Sequence, residues 1–351
     1  MADTVQRVRT FLTLVFLCSL ALSQQPVAAA IAEGQQHFQR GNYEAAAVAY
    51  TAAYSAAPTP ELAYWVGVCA IQLYKIKDAE NWLQIAIAAP QAKGAWFQAY
   101  AKCLLDNGKP LAAREALTRA LTIGPRTDPN YGVWFYNRGL CSLEAAEYSP
   151  AIADFEACVA HSPKHAQAWY SLGLARTDVS DSKGALTALQ MATALEPSNI
   201  EALFLLGRTQ LGEGAVEAAI VTMRQVLGKV SGHVGALWNL SRALQRLGRT
   251  EEAKAEFTRF KALAALNERI EYTETAVKIN QNNAALRIEL VKLLLEAGRA
   301  RDAMTHLDTL RRTAPGSTVF LQMSKALRLL GAREEADRAE EAARQLLQQG
   351  R

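Results

Sequence analysis

The sequence predicts an all-helical chain of stacked helix-turn-helix units, and three observations predict it. First, it repeats itself with a period of 34 residues, most plainly where Trp169-Tyr-Ser-Leu-Gly173, Leu203-Phe-Leu-Leu-Gly207 and Leu237-Trp-Asn-Leu-Ser241 follow one another. Second, when units start at Val27, Pro60, Gly94, Gly132, Ala166, Ile200, Val234, Ala284 and Ser317, the twentieth residue of each is alanine: Ala46, Ala79, Ala113, Ala151, Ala185, Ala219, Ala253, Ala303 and Ala336. Third, helix-stopping residues fall where a helical hairpin needs them. Gly41, Gly108, Gly214, Gly248, Gly298 and Gly331 end first helices, and Pro58, Pro125, Pro163, Pro197 and Pro315 follow second helices. Glycine permits the left-handed stop, and proline lacks the N–H that would continue a helix. A length of 351 residues would otherwise suggest two or three globular domains, but repeat cores grow along one axis.

Each unit should hold two helices of about a dozen residues. Small residues at the eighth position (Gly34, Gly67, Ala101, Gly139, Gly173, Gly207, Ser241 and Ser324, with Val291 departing) are expected to face the position-twenty alanines, letting the two helices cross closely. The twenty-fourth position is large and apolar in eight units: Tyr50, Leu83, Leu117, Phe155, Leu189, Met223, Phe257 and Leu307. It becomes Glu340 in the last, the polar face a terminal unit needs when nothing follows to cover it. Two insertions interrupt the stack. Residues 128–131 loosen a turn, and residues 268–283 follow a segment with no Gly or Pro to stop it, so the seventh unit's outer helix should extend to about Ile279 or give way to a separate helix.

The first thirty residues read differently. Arg7 and Arg9 precede an apolar run from Phe11 to Leu22 and then Val27-Ala28-Ala29-Ala30, the pattern of a secretory signal peptide cleaved near Ala30. Such a run is too short to cross a hydrocarbon core of roughly 30 Å. Leu17 before Cys18 is unlike a lipoprotein cleavage site. The expected organisation is a signal peptide at 1–30, seven repeats over 31–267, a helical insertion or extension at 268–283, and two repeats with a C-terminal cap over 284–351. The expected location is periplasmic or secreted. A formal net charge of +4 without any basic block gives no reason to expect nucleic-acid binding.

Motifs that bind phosphate, metal or a redox disulfide are absent from the sequence after the leader: no phosphate-binding glycine loop, Cys-x-x-Cys or His-Glu-x-x-His occurs. No enzymatic activity, cofactor or metal is therefore expected. Cys69, Cys103 and Cys141 share position ten of successive units, where they read as small core residues a helix spacing apart, too far for a bridge. Cys141 and Cys158, within one hairpin, form the one pair whose geometry could allow it. His161 and His165 flank Pro163 in a turn and read as solvated. Asn239-Leu-Ser241 is formally a glycosylation sequon placed in mid-helix.

The period, the alanine at position twenty and the small residue at position eight resemble the tetratricopeptide repeat family. That resemblance covers nearly everything from Val27 onward. It implies an all-α, right-handed superhelical solenoid of about nine repeats, with first helices lining a concave groove through positions two, five, six, nine, twelve and thirteen.

On that basis position five carries an aromatic ladder, Tyr64, Tyr136, Tyr170, Phe204 and Trp238, whose large rigid side chains suit binding anchors but also suit helix packing. Asn137 and Asn239 at position six match the place where peptide-binding members use asparagine on a bound backbone. Position nine changes from Val68, Leu140 and Leu174 to Arg208, Arg242, Lys292 and Lys325. With Arg246 and Arg328 this predicts a groove turning basic toward its C-terminal end, tempered by Asp178, Glu289 and Glu296, or simply a solvated charged face. The lysine and asparagine order of the family's dicarboxylate clamp is not reproduced. The function expected is that of an exported adaptor or scaffold holding a protein or peptide partner, with an acidic segment, in an envelope or secretion assembly. The alternative is a structural component that self-associates through its outer helices. No membrane span is expected after the leader.

Overall fold

The computed structural model of the protein describes residues 26–349, and among these only helices, turns and bends occur. Residues 1–25, where the signal peptide is expected, lie outside the described residues. The chain divides into two compact units, one ending at Ser198 and the other beginning at Asn199.

The first unit holds α1 (26–39), α2 (Tyr43–Ala56), α3 (Pro60–Gln72), α4 (Ile76–Ile87), α5 (Gly94–Asp106), α6 (Pro110–Ile123), α7 (Tyr131–Glu144), α8 (Tyr148–His161), α9 (Ala166–Asp178) and α10 (Ser182–Leu195). From α2 on, each packs against its neighbour in the chain. Side chains at the helix starts take up the orphan N–H groups: Thr59 Oγ1 accepts from Leu62 N at 3.2 Å and Asp181 Oδ1 from Gly184 N at 3.0 Å. The expected cleavage point near Ala30 falls inside α1, where Val27, Ala30 and Ile31 lie against the cluster of Tyr50, Leu62 and Val66.

The second unit holds α11 (Ile200–Gly212), α12 (Val216–Lys229), α13 (Val234–Arg246), α14 (Thr250–Ile279), α15 (Ala284–Glu296), α16 (Ala300–Thr313), α17 (Ser317–Leu329) and α18 (Arg333–Gln348). The insertion is thus a continuation of the seventh repeat's outer helix, 30 residues and about 45 Å long. Its first turns join the core around Met223, Leu240 and Leu244 through Ala253. Its last turns join a separate core with Leu290, Leu294 and Leu307 through Leu266, Ile270 and Val277. No helix among the described residues is long and apolar enough to cross a membrane.

The small residue at position eight has a different partner from the one expected. A Cβ added at Gly67, Gly139 or Gly173 would come within 2.6–2.7 Å of the side chain of Leu83, Phe155 or Leu189, the large residue at position twenty-four of the same repeat. The glycine therefore makes room for that side chain, which is fully buried, rather than for the alanine at position twenty. The alanines are themselves buried in every repeat. At the C-terminal end Glu340 replaces the large apolar residue and is half-buried, ion-paired to Arg328 and Arg344.

Position fifteen turns each hairpin through the left-handed region. The six expected glycines do so, and so do Tyr74, Ala146 and Ser180, at φ of 57°, 57° and 64°. Their non-glycine side chains make this conformation costly by about 1–2 kcal/mol. Ala146→Gly is expected to raise stability by about 0.5–1 kcal/mol once the looser unfolded chain is counted, and Gly214→Ala to lower it by about 1 kcal/mol, both read by urea denaturation. Gly173→Val should cost about 1–3 kcal/mol by overpacking Leu189.

Candidate functional site

The expected groove residues fall into one constellation per unit. In the first, a cleft of about 470 Å³ is lined by Tyr64, Val68, Gln98, Lys102 and Asn137 among others. Tyr64 stacks on Trp96 at 5.7 Å and meets Trp65 edge-on at 5.2 Å, so its ring is fixed, and burial raises its hydroxyl pKa. Gln98 accepts a 2.7 Å hydrogen bond from Trp134 Nε1, which orients its amide. Lys102 stands at position nine of the third repeat and pairs with Asp106 at 3.2 Å. Its register with Val68 and Leu140 under the 34-residue period is the signal in the sequence that places this lysine in the cleft.

The remaining ladder residues of this unit are held by packing. Tyr136 lies 4.7 Å from the His165 ring and 5.9 Å from Phe155, and burial raises its pKa against a lowering hydrogen bond with Ser171. Tyr170 is half-buried. His165, expected to be solvated, instead caps α9 by accepting from Ala168 N through Nδ1 at 3.0 Å, and His161 stacks on Phe135 at 5.8 Å. An imidazole at a helix start serves where Asn serves elsewhere in this chain, a role that residue type alone did not suggest.

In the second unit the ladder opens to solvent. Phe204 is half-buried against His233 at 4.7 Å, but Trp238 is 39% exposed. It forms a three-ring cluster with Phe260 at 5.1 Å and Phe257 at 5.9 Å, the last 37% exposed. The sequence placed Phe257 in the buried seam. It is exposed because α14 runs on, and no residue between Ala253 and Leu266 is fully buried. Arg242 lies over the Trp238 ring at 6.0 Å and Lys261 over the Phe257 ring at 5.1 Å. Trp238, Arg242, Gln245, Lys254 and Phe257 line one shallow recess of about 220 Å³. An apolar ring would be gripped there while a carboxylate met the cations around it.

Not every residue assigned to the groove is available there. Asn239 is only 8% exposed and donates its Nδ2 to Gly235 O at 2.8 Å, so its amide is committed to its own helix. The same burial closes the sequon. Arg246 donates Nη1 to Leu211 O at 2.8 Å, and Arg328 pairs with Asp337 at 3.2 Å and with Glu340. Those two guanidiniums satisfy a helix carbonyl and the C-terminal cap rather than a ligand. Arg208 and Lys292 are exposed, but neither lines the Trp238 recess.

Residues 31–94, 234–265 and 261–326 each match the tetratricopeptide repeat family. The chain is a tetratricopeptide repeat protein. No curated protein matches it. Its fold is similar to that of the C-terminal part of a tetratricopeptide repeat-containing protein from Cytophaga hutchinsonii, at 17% identity over 66% of this chain and 93% of that one, with a TM-score of 0.53. Pseudomonas aeruginosa PilF is similar at 19% identity, over 61% and 96% of the two chains, with a TM-score of 0.52. YrrB, described as a tetratricopeptide repeat protein with an unusual peptide-binding site, is similar at 22% identity over 50% and 88%, with a TM-score of 0.44. At these identities the likeness is one of fold.

Among the described residues no group of His, Cys, Asp and Glu is arranged to hold a metal ion. Cys69, Cys103, Cys141 and Cys158 are all buried free thiols, the Cys141 and Cys158 pair included. Burial is the first cause that pushes each of these thiols up to about 11. A thiol whose folded pKa lies above its unfolded value of 9.0 favours the fold fully below pH 9, and this contribution is lost as pH rises toward 11. Urea titrations should therefore show stability falling between pH 9 and 11. Ellman's reagent at pH 8 should label these four only after unfolding.

Proposed function

We propose that this protein is an exported adaptor whose repeats hold an extended segment of another protein, with the Trp238, Phe257 and Phe260 cluster as the main anchor. The observation that carries the reading is the exposure of Trp238 and Phe257, in contact with the half-buried Phe260 and beside Arg242 and Lys261, on a chain whose other aromatic ladder residues are half-buried. Isolated exposed apolar side chains are ordinary on a protein surface. A contiguous aromatic patch rimmed by cations is the usual composition of a binding hot spot. The segment it fits has an apolar or aromatic side chain next to an acidic residue or a terminal carboxylate. In the first unit, Tyr64, Asn137, Gln98 and Lys102 offer a second contact, with Asn137 placed to hydrogen-bond an extended backbone. A scaffold of this kind acts by binding alone, and its repeats supply several weak contacts rather than one reactive group. Export rests on Arg7 and Arg9 ahead of the apolar run from Phe11 to Leu22, and the setting proposed is an envelope or secretion assembly.

The test is a crosslinking capture from the host's envelope fraction, with the full exported chain as bait beside the Trp238→Ala/Arg242→Ala double variant. The wild type should capture a partner that the double variant loses by about tenfold or more, the equivalent of roughly 1.4 kcal/mol, with circular dichroism unchanged. Equal capture by both would remove the anchor assignment. Recovery of the protein itself alone, by both baits, would point to self-association through outer helices.

A further inference from the structure

The sharpest departure from the repeat's own pattern lies in the fourth repeat, away from both groove constellations. Positions seven and twenty-three, which the next repeat fills with Leu172 and Ala188, hold Arg138 and Asp154 here. The two form a two-point ion pair, Arg138 Nε donating to Asp154 Oδ2 at 2.9 Å and Nη2 to Oδ1, with Asp154 only 5% exposed. A buried ion pair gains little or nothing over well-packed apolar residues of similar size, so helix packing alone does not explain it.

Beside the pair opens a cleft of about 610 Å³ formed by α6, α7 and α8 and lined by Arg114, Glu115, Thr118, Arg119, Arg138, Ser142 and Asp154 among others. Ser142 is 1% exposed, and its hydroxyl is the one buried side-chain polar atom among the described residues with no hydrogen-bond partner. Buried polar groups are satisfied almost without exception, so one left open on the wall of a cleft marks a place for a ligand atom. The cleft's free donors are the guanidiniums and the Ser142 hydroxyl, and its one unpaired carboxylate is that of Glu115. Arg119 has no ion pair among the described residues, and Arg114 gives only Nη1, to Glu147. Arg138 Nη1 has only a long 3.4 Å contact with Thr118 Oγ1, whose own hydrogen is donated to Arg114 O at 2.9 Å. The carboxylates of Glu147 and Asp154 are already paired.

We propose that this cleft binds a small oxyanion, a carboxylate or phosphate group, through the guanidiniums of Arg119 and Arg138 and the hydroxyl of Ser142. The free fork of Arg119 matches the spacing of two oxygens in either group, Arg138 adds its Nη1, and the serine supplies a further donor at the cleft wall. The site stands independently of the partner-binding reading, because none of its residues belongs to the groove.

The test uses the full chain and two probes, inorganic phosphate and succinate, titrated by calorimetry at constant ionic strength with chloride as the balancing anion. Saturable binding of either probe is expected, and the preferred one identifies the source chemistry. Arg119→Ala should weaken it by about tenfold or more, the scale of a hydrogen bond to a charged group. Ser142→Ala should weaken it while leaving the melting temperature equal or higher, since it removes an unpaired buried hydroxyl. The double variant Arg138→Leu/Asp154→Ala, which installs the next repeat's own pair, should fold and lose binding. Absence of saturable binding of both probes overturns the proposal, as does an unchanged affinity in Arg119→Ala or in the folded double variant.

Discussion

In the repeats with glycine at position eight, helix spacing is set by one contact, in which the large side chain at position twenty-four of the second helix presses on that glycine of the first. At Gly67, Gly139 and Gly173 the approach is so close that even a methyl group would collide. Everything else in the hairpin follows from that distance. The position-twenty alanine must be small because the helices are already close, and the left-handed residue at position fifteen must reverse the chain within a few residues. The second helix then presents its remaining apolar side chains to the next repeat. Dispersion and burial act at full density only when this contact is made, which is why the same two positions are constrained in repeat after repeat.

The surfaces that could act on other molecules arise where this rule is relaxed. Phe257 occupies position twenty-four but lies partly open, because the helix carrying it continues past its repeat and its middle turns carry no buried residue. Arg138 and Asp154 stand where the next repeat has the apolar pair Leu172 and Ala188, and a polar cleft opens beside them. In both places the chain exchanges packing for exposed or polar chemistry, the usual signature of a site under a constraint other than stability.

Much of the fold was legible in the sequence, because period, alanine and glycine each have a steric cause that acts locally. From α3 on, the starts of the first helices fall on the residues the period marks, or one before. What escaped was decided by tertiary context. Tyr74, Ala146 and Ser180 take a conformation their types disfavour, because the hairpin geometry leaves position fifteen no other choice. The site was less legible than the fold. Position five marked Trp238 as a candidate anchor, but only three-dimensional neighbours show that Phe257 and Phe260 pack on it and that Lys261 lies over Phe257. Asn239 and Arg246 have suitable types at groove positions, yet nearby carbonyls take their hydrogen bonds first.

The long α14 has a mechanical consequence. Its two ends belong to different hydrophobic clusters, and between Ala253 and Leu266 no residue is fully buried, the helix meeting α13 there through the Phe257 and Phe260 rings on Trp238. A rod of this kind transmits bending and torsion but little cohesive energy, so the core around Leu240 and the core around Leu294 are free to melt at different temperatures. Amide exchange in such an arrangement would resolve them as two foldons joined by a strut, with the middle turns of the strut exchanging faster than either end.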